Sequence, residues 1–369
     1  MGEHIGLECW WALPMAWVWI LWWVKYKDEP WDCDHVAYLW PALRSGWPYR
    51  GHVDVKMPGI HFLWLALARM GIEISPQVWR WVYALHMGVA FLWAGPQALV
   101  LMLPHMGAVL ANTEGFALPW AIAAIHVGSE PVRGFMLGVA ATYAPHVALA
   151  GLIMRPGWET LTWMAVWPGV LMGALVLGGT WKEFLGCMMH WVKPGRRRWR
   201  LNQLTHVGRI RSLGAALVLA LVLATSRGGN PWAVTVAALP VFTGLVFPYH
   251  FIAPIVFASL GSLDISIVAL GIFLILVCVP EARMWSHPIG AVLGRDVEDK
   301  FKWSMRQMGR RFRRPVVSKY PVNMALVLAH GPRFVCYWPE VPPRGYTIEA
   351  AKALGPCVEV AGYQTREVG

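Results

Sequence analysis

Apolar residues along this chain come in long runs separated by short polar stretches. The first, "CWWALPMAWVWILWWV", covers residues 9–24, and others cover 77–110, 116–127, 134–153, 161–179, 212–225, 232–247 and 250–280. A helix that spans a bilayer needs about 20 mostly apolar residues. Several of these runs are shorter, so broken, tilted or re-entrant helices are expected among them. The pattern predicts an all-α polytopic membrane protein with about eight to ten transmembrane helices. Residues 1–280 form its transmembrane core, with one large polar loop at 25–58. Residues 281–369 form a tail, with a charged surface helix at 295–314 and then a small α/β appendage. In the appendage "RFVCYW", "TIEAAKALG" and "CVEVAGY" read as strand, helix and strand.

Composition supports the membrane reading. Of 369 residues, 57% are hydrophobic and 14% charged, against about a quarter charged in soluble domains. The opening "MGEHIGLE" has acids where a secretory signal carries lysine or arginine, so the first segment is expected to be a retained helix. Gly6 stands where a myristoylation motif needs Ser or Thr.

The net charge of +11 is concentrated in "KPGRRRWR" (193–200) with Arg209 and Arg211, and in "GRRFRRP" (309–315) with Lys300, Lys302 and Arg306. Beside membrane spans the positive-inside rule accounts for such clusters, so nucleic acid is not an expected partner and the first cluster is expected in the cytoplasm. With the N-terminus inside, the 25–58 loop is extracytoplasmic. "HFLWLALARMG" then lies along the interface, 77–94 crosses inward and 97–127 outward as a broken helix, which puts Glu130 on the loop's side. The six cysteines form no CxxC pair, and the thirteen histidines form no HExxH pair. Neither a zinc ribbon nor a catalytic metal site is predicted.

The polar loop carries Asp28, Glu29, Asp32, Asp34 and Asp54 against Lys25, Lys27, Arg44, Arg50 and Lys56. Charge content alone describes a solvated loop. The order of residues says more: Asp34, Tyr38 four residues on, "LRSGWPYRG", then Asp54-Val-Lys56-Met-Pro58-Gly59 and an apolar helix. This order resembles the first extracytoplasmic loop of the GT-C superfamily of polyprenyl-phosphate-sugar glycosyltransferases, in its protein O-mannosyltransferase and aminoarabinose transferase-like branch. "HVGSEPVRGFMLGVAA" (126–141) is similar to the second loop of that branch, "PGVLMGALVLGGTWKEF" (168–184) to a helix ending in lysine, and "FPYHFIAPIVFASLG" (247–261) to a late tyrosine- and proline-marked segment. The chain departs from the branch at Gly51, where relatives place an acid, and at Asp34-His35, where they place Asp-Glu.

The resemblance implies transfer of a sugar, with inversion, from a polyprenyl-phosphate donor to a hydroxyl of a glycan, lipid or protein acceptor. It also implies an enzyme embedded among membrane lipids in a bacterial or archaeal plasma membrane, with its active site on the extracytoplasmic side. Such a transfer needs a carboxylate to take the acceptor proton and a cation to stabilise the departing phosphate. Asp34 is the expected general base and Asp32 its rival. Lys56 is the expected phosphate partner, with Arg50, Tyr38, Asp54, Lys182 and His250 as further substrate-binding candidates. Glu130 is a second acid for the site. The residues fix no cofactor, and the resemblance leaves a divalent ion open.

Each residue also has a plainer reading. Asp34 would cap a helix beginning near Val36, Lys56 would snorkel beside the next helix, and Tyr38 would sit at the membrane interface. Glu130 would mark a helix boundary, and His250 would be a satisfied structural histidine. A transporter or channel is the alternative function, but it would carry ionisable residues mid-helix in matched halves. A membrane scaffold is a third.

Overall fold

The computed structural model describes residues 12–25, 38–39, 41–42, 46–50, 56–96, 98–99 and 113–192, with four short strands between 316 and 368. The apolar runs after residue 192, both basic clusters, and Asp32, Asp34, Asp54 and His250 lie outside the described residues.

Between 12 and 192 every described element is helical: α1 (Ala12–Lys25), α2 (Pro58–Arg69), α3 (Pro76–Ala94), α4 (Thr113–His126), α5 (Glu130–Tyr143), α6 (Pro145–Met154), α7 (Trp158–Met164), α8 (Val166–Leu177) and α9 (Trp181–Val192). Proline sets several of their starts. Pro58, Pro76 and Pro145 each open a helix, where the missing N–H has no partner to lose and φ is already helical. Ser75 adds a cap to α3 by accepting the Val78 N–H at 3.2 Å.

The chain divides into two compact units. The first holds α1, α3 from Trp79, and α4 to α7, with the start of α8. Its hub is α5, which packs on α4, α6 and α7. Gly134 and Gly138 lie one turn apart on α5 and bring two backbones together. A Cβ at Gly134 would strike the Thr160 carbonyl, and one at Gly138 would lie 2.6 Å from that of Met164. Small residues at this spacing let helix backbones approach closely. α4 buries residues all round its circumference, including Pro119 within it, as an interior helix should. α1 rests on α3 through Trp19, Trp22 and Trp23. The Trp23 and Trp81 rings stand 4.9 Å apart, and the buried Arg80 guanidinium lies 5.5 Å from the Trp22 ring centroid.

The second unit holds residues 28–78, 171–193 and 298–369. Its strands β1 (Val316–Ser318), β2 (Phe334–Cys336), β3 (Cys357–Ala361) and β4 (Gln364–Val368) form one sheet in the order β2-β1-β3-β4. β1 runs parallel to β2 and β3, with Val316 opposite Phe334 and Val358, and β3 pairs antiparallel with β4. β2 and β3 fall within the two expected strands. β1 and β4 were not anticipated, and the expected helix "TIEAAKALG" and the surface helix at 295–314 lie outside the described residues.

Among the described residues, one helical stretch is long and apolar enough to cross a membrane, Trp158–Leu177, with 17% of its best window buried. It joins α7 and α8, and its 20 residues extend about 30 Å, the thickness of a hydrocarbon core. Ala12–Lys25 and Pro145–Met154 are apolar but shorter. α2, expected to lie along the interface, has 12 residues and reaches only about 18 Å.

Candidate functional site

Within the second unit the opening loop closes on a turn. The Arg50 N–H donates to the Trp47 carbonyl at 3.1 Å, with Pro48 and Tyr49 between them. Tyr49 has φ 65°, and it is the one non-glycine residue with positive φ among the described residues. Proline followed by a left-handed residue is the type II turn pattern, in which the second place normally belongs to glycine. A tyrosine there costs about 1–2 kcal/mol, so its side chain must return more.

It does so by filling the unit's core. Tyr49 is 1% exposed and packs with Leu175, Phe184 and Cys187. Its ring meets Phe184 at 5.1 Å and His61 at 5.2 Å, both edge-on. Its hydroxyl donates to the Lys56 carbonyl at 2.6 Å. Burial of such a side chain contributes about 1.5–3 kcal/mol and each aromatic pair about 0.5–1.5 kcal/mol more, which together outweigh the turn's strain.

Four residues of the quoted stretch and of the helix after it thus come together. Lys56 is half-buried, its backbone held by Tyr49 and its ammonium 5.9 Å from the Tyr38 ring centroid. His61, wholly buried on α2, presents Nδ1 to the Tyr38 carbonyl at 3.3 Å. A carbonyl can only accept, so that nitrogen carries the proton. The Lys56 side chain is set against the Tyr38 ring, a cation–π contact worth about 0.5–2 kcal/mol.

Arg50 is exposed, and its Nη2 donates to the Gly178 carbonyl at 2.6 Å, just past the end of α8. That end is a Schellman cap. Thr180 N–H bonds the Leu175 carbonyl, Gly179 N–H bonds that of Val176, and Gly179 takes φ 69°. A cation there complements the helix dipole, so Arg50 fastens the loop. Lys182 stands exposed on the first turn of α9, while its neighbours Trp181 and Phe184 turn inward onto Tyr49.

Glu130 belongs to the first unit. It opens α5, and its Oε2 accepts the Thr160 N–H at 3.3 Å and lies 3.5 Å from the Thr160 hydroxyl. Gly157 faces the same carboxylate so closely that a Cβ would strike it. Two arginines gather beside it at the end of α4. Arg133 donates Nη2 to the carbonyls of Val127 (3.1 Å) and Gly128 (3.2 Å). Arg155 donates Nη1 to those of Ile125 (2.7 Å) and Val127 (3.4 Å). The charge of Arg155 acts against that of Arg133, and Glu130 acts in its favour. Groups sharing one acceptor lie within about 6–7 Å, where like unit charges repel by about 2–3 kcal/mol at an effective dielectric of about 20. A helix C-terminus returns only about 0.3–1 kcal/mol per cation.

No group of three or more His, Cys, Asp or Glu side chains that could hold a metal ion occurs among the described residues. Sequence reasoning passed over Tyr49, His61, Arg133 and Arg155. The Pro-Tyr-Arg turn and a lone histidine inside an apolar helix were the signals available for the first two. Gly134-x-x-x-Gly138 was legible as a small-residue motif. The chain matches no protein-family model, no curated protein and no solved structure.

Proposed function

We propose that this chain is an integral membrane glycosyltransferase of the GT-C kind, with about eight to ten membrane helices. In this reading it moves a sugar from a polyprenyl-phosphate donor to an acceptor hydroxyl at the extracytoplasmic face. The acceptor oxygen bonds to the anomeric carbon as the bond to the phosphate oxygen breaks, inverting the configuration. Its proton passes to a loop carboxylate, with Asp34 the leading candidate, Asp32 the rival and Glu130 a further acid. The phosphate leaves with the bonding electron pair, and Lys56 offsets its charge. Arg50 holds the loop that carries both groups, and Tyr38, Asp54, Lys182 and His250 remain candidates for contact with the substrates.

The observation that carries this reading is the Tyr38–Tyr49–Lys56–His61 cluster. A solvated loop has no reason to bury two tyrosines and a histidine, strain its backbone and set a lysine among them. A preorganised cation is what transfer from a phosphate requires. The membrane part of the reading draws on exposed apolar faces. Leu13, Trp17, Ile20 and Val24 line one side of α1, each at least half exposed, and Leu177 at the end of α8 is 88% exposed. Such faces favour lipid over water.

The test is turnover by the purified chain in detergent with a panel of labelled polyprenyl-phosphate sugars. Transfer from one donor, abolished in Asp34→Asn or Asp32→Asn, is expected. No turnover with any donor, together with solute flux in liposomes, would establish the transporter instead.

A further inference from the structure

We infer that Arg133 and Arg155 form a binding site for a phosphate group, supplied by the headgroup of an anionic membrane lipid. Two guanidiniums converge on the single Val127 carbonyl. The carboxylate beside them, Glu130, is engaged by Thr160. Glu130 is thus one carboxylate whose charge acts on Arg133, shared with Thr160 and set against two cations. Capping α4 uses Nη2 of Arg133 and Nη1 of Arg155, so each fork retains further donors. Arg133 is 5% exposed, and its Nε is buried with no hydrogen-bond partner among the described residues. A buried charged donor without a partner is costly, and a phosphate oxygen would satisfy it. Planar guanidinium forks match phosphate oxygens better than any other side chain.

Position points to a lipid source. Arg155 ends the apolar helix α6, and the candidate span Trp158–Leu177 begins three residues later. Trp158 there is 87% exposed, the disposition of a tryptophan at headgroup level. Arg155 is half-buried at the same boundary, so a headgroup phosphate can reach it from the bilayer surface.

The inference rests on the membrane part of the proposed function and not on glycosyl transfer. A chain recovered as soluble protein without detergent would fail that part before any titration begins. The experiment uses the full chain in detergent, titrated with short-chain phosphatidylglycerol, with phosphatidylcholine of the same chain length and with inorganic phosphate, read by thermal unfolding. Phosphatidylglycerol should raise the unfolding temperature saturably, while phosphatidylcholine and millimolar phosphate should not. Arg155→Gln should weaken the phosphatidylglycerol response at least about tenfold, the loss expected for a charge-assisted hydrogen bond. Arg155→Lys, which keeps the charge, should recover part of it. Equal responses to the two lipids, or an Arg155→Gln variant that binds phosphatidylglycerol as the parent does, would overturn the site. A response to inorganic phosphate equal to that of the lipid would overturn the lipid source. Should Arg155→Gln fail to fold, the two-lipid comparison on the parent chain decides, and Arg155→Lys against Arg133→Lys checks the fork.

Discussion

The loop cluster of the second unit and the arginine cluster of the first both restrain cations, by opposite means. Around Lys56 the restraint is aromatic and acts through the backbone. Tyr49 grips the Lys56 carbonyl and the Tyr38 ring lies beside the ammonium. Around Arg133 and Arg155 the restraint is polar and acts on the charged groups, which are bonded to the carbonyls that end α4. An arginine fork can brace a helix end and still present further donors. The difference is that one cluster restrains its cation through the backbone and the other through the guanidinium groups themselves.

The comparison can be broken most sharply at Tyr49. Tyr49→Ala empties the packing between Leu175, Phe184 and His61 and should cost about 3–5 kcal/mol, seen as a large fall in thermal unfolding temperature in detergent. A loss under about 1 kcal/mol would mean the loop is not packed as described. Next comes Lys56→Ala, which should lower transfer from a polyprenyl-phosphate sugar by about 10²–10³-fold, as for loss of one group stabilising developing charge. Turnover within a few-fold of the parent would remove Lys56 from the chemistry. In the first unit, Gly138→Ala pushes a methyl onto the Met164 carbonyl and should cost about 1–3 kcal/mol by the same unfolding measurement. A neutral result would show that α5 and α7 have room to part. The mildest change is Tyr49→Phe. It keeps the ring and removes the hydroxyl from the Lys56 carbonyl, for about 1 kcal/mol of stability. Its transfer rate should fall further than its KM changes if that hydroxyl positions Lys56, and the two should be unaffected if it only packs.

Much of the helical part of the fold was legible beforehand. The apolar runs located α1, α3, α4, α5 with α6, and α7 with α8, because a chain that buries or lipid-exposes whole helices must be apolar along their length. Pro58 was placed ahead of a helix beforehand, whereas the starts at Pro76 and Pro145, which follow from the fixed φ of the ring, were not singled out. β2 and β3 were found from their short β-branched stretches, whereas the three-residue β1 offers too few positions for any periodicity. The site was only half legible. Tyr38, Arg50 and Lys56 were chosen from their order along the loop. Tyr49 was passed over, because nothing near it in the chain announces Phe184, which lies 135 positions later.

What the sequence determined by itself was the local and the compositional: helices from apolar runs and the short strands β2 and β3. What only the tertiary structure decided was which groups meet. Arg50 reaches Gly178, Tyr49 reaches Phe184, and Arg155 reaches Ile125, pairs separated by 128, 135 and 30 positions. Such contacts come from packing distant helices together, and they leave no spacing rule in the chain because the side chains that make them answer to geometry and not to sequence neighbours.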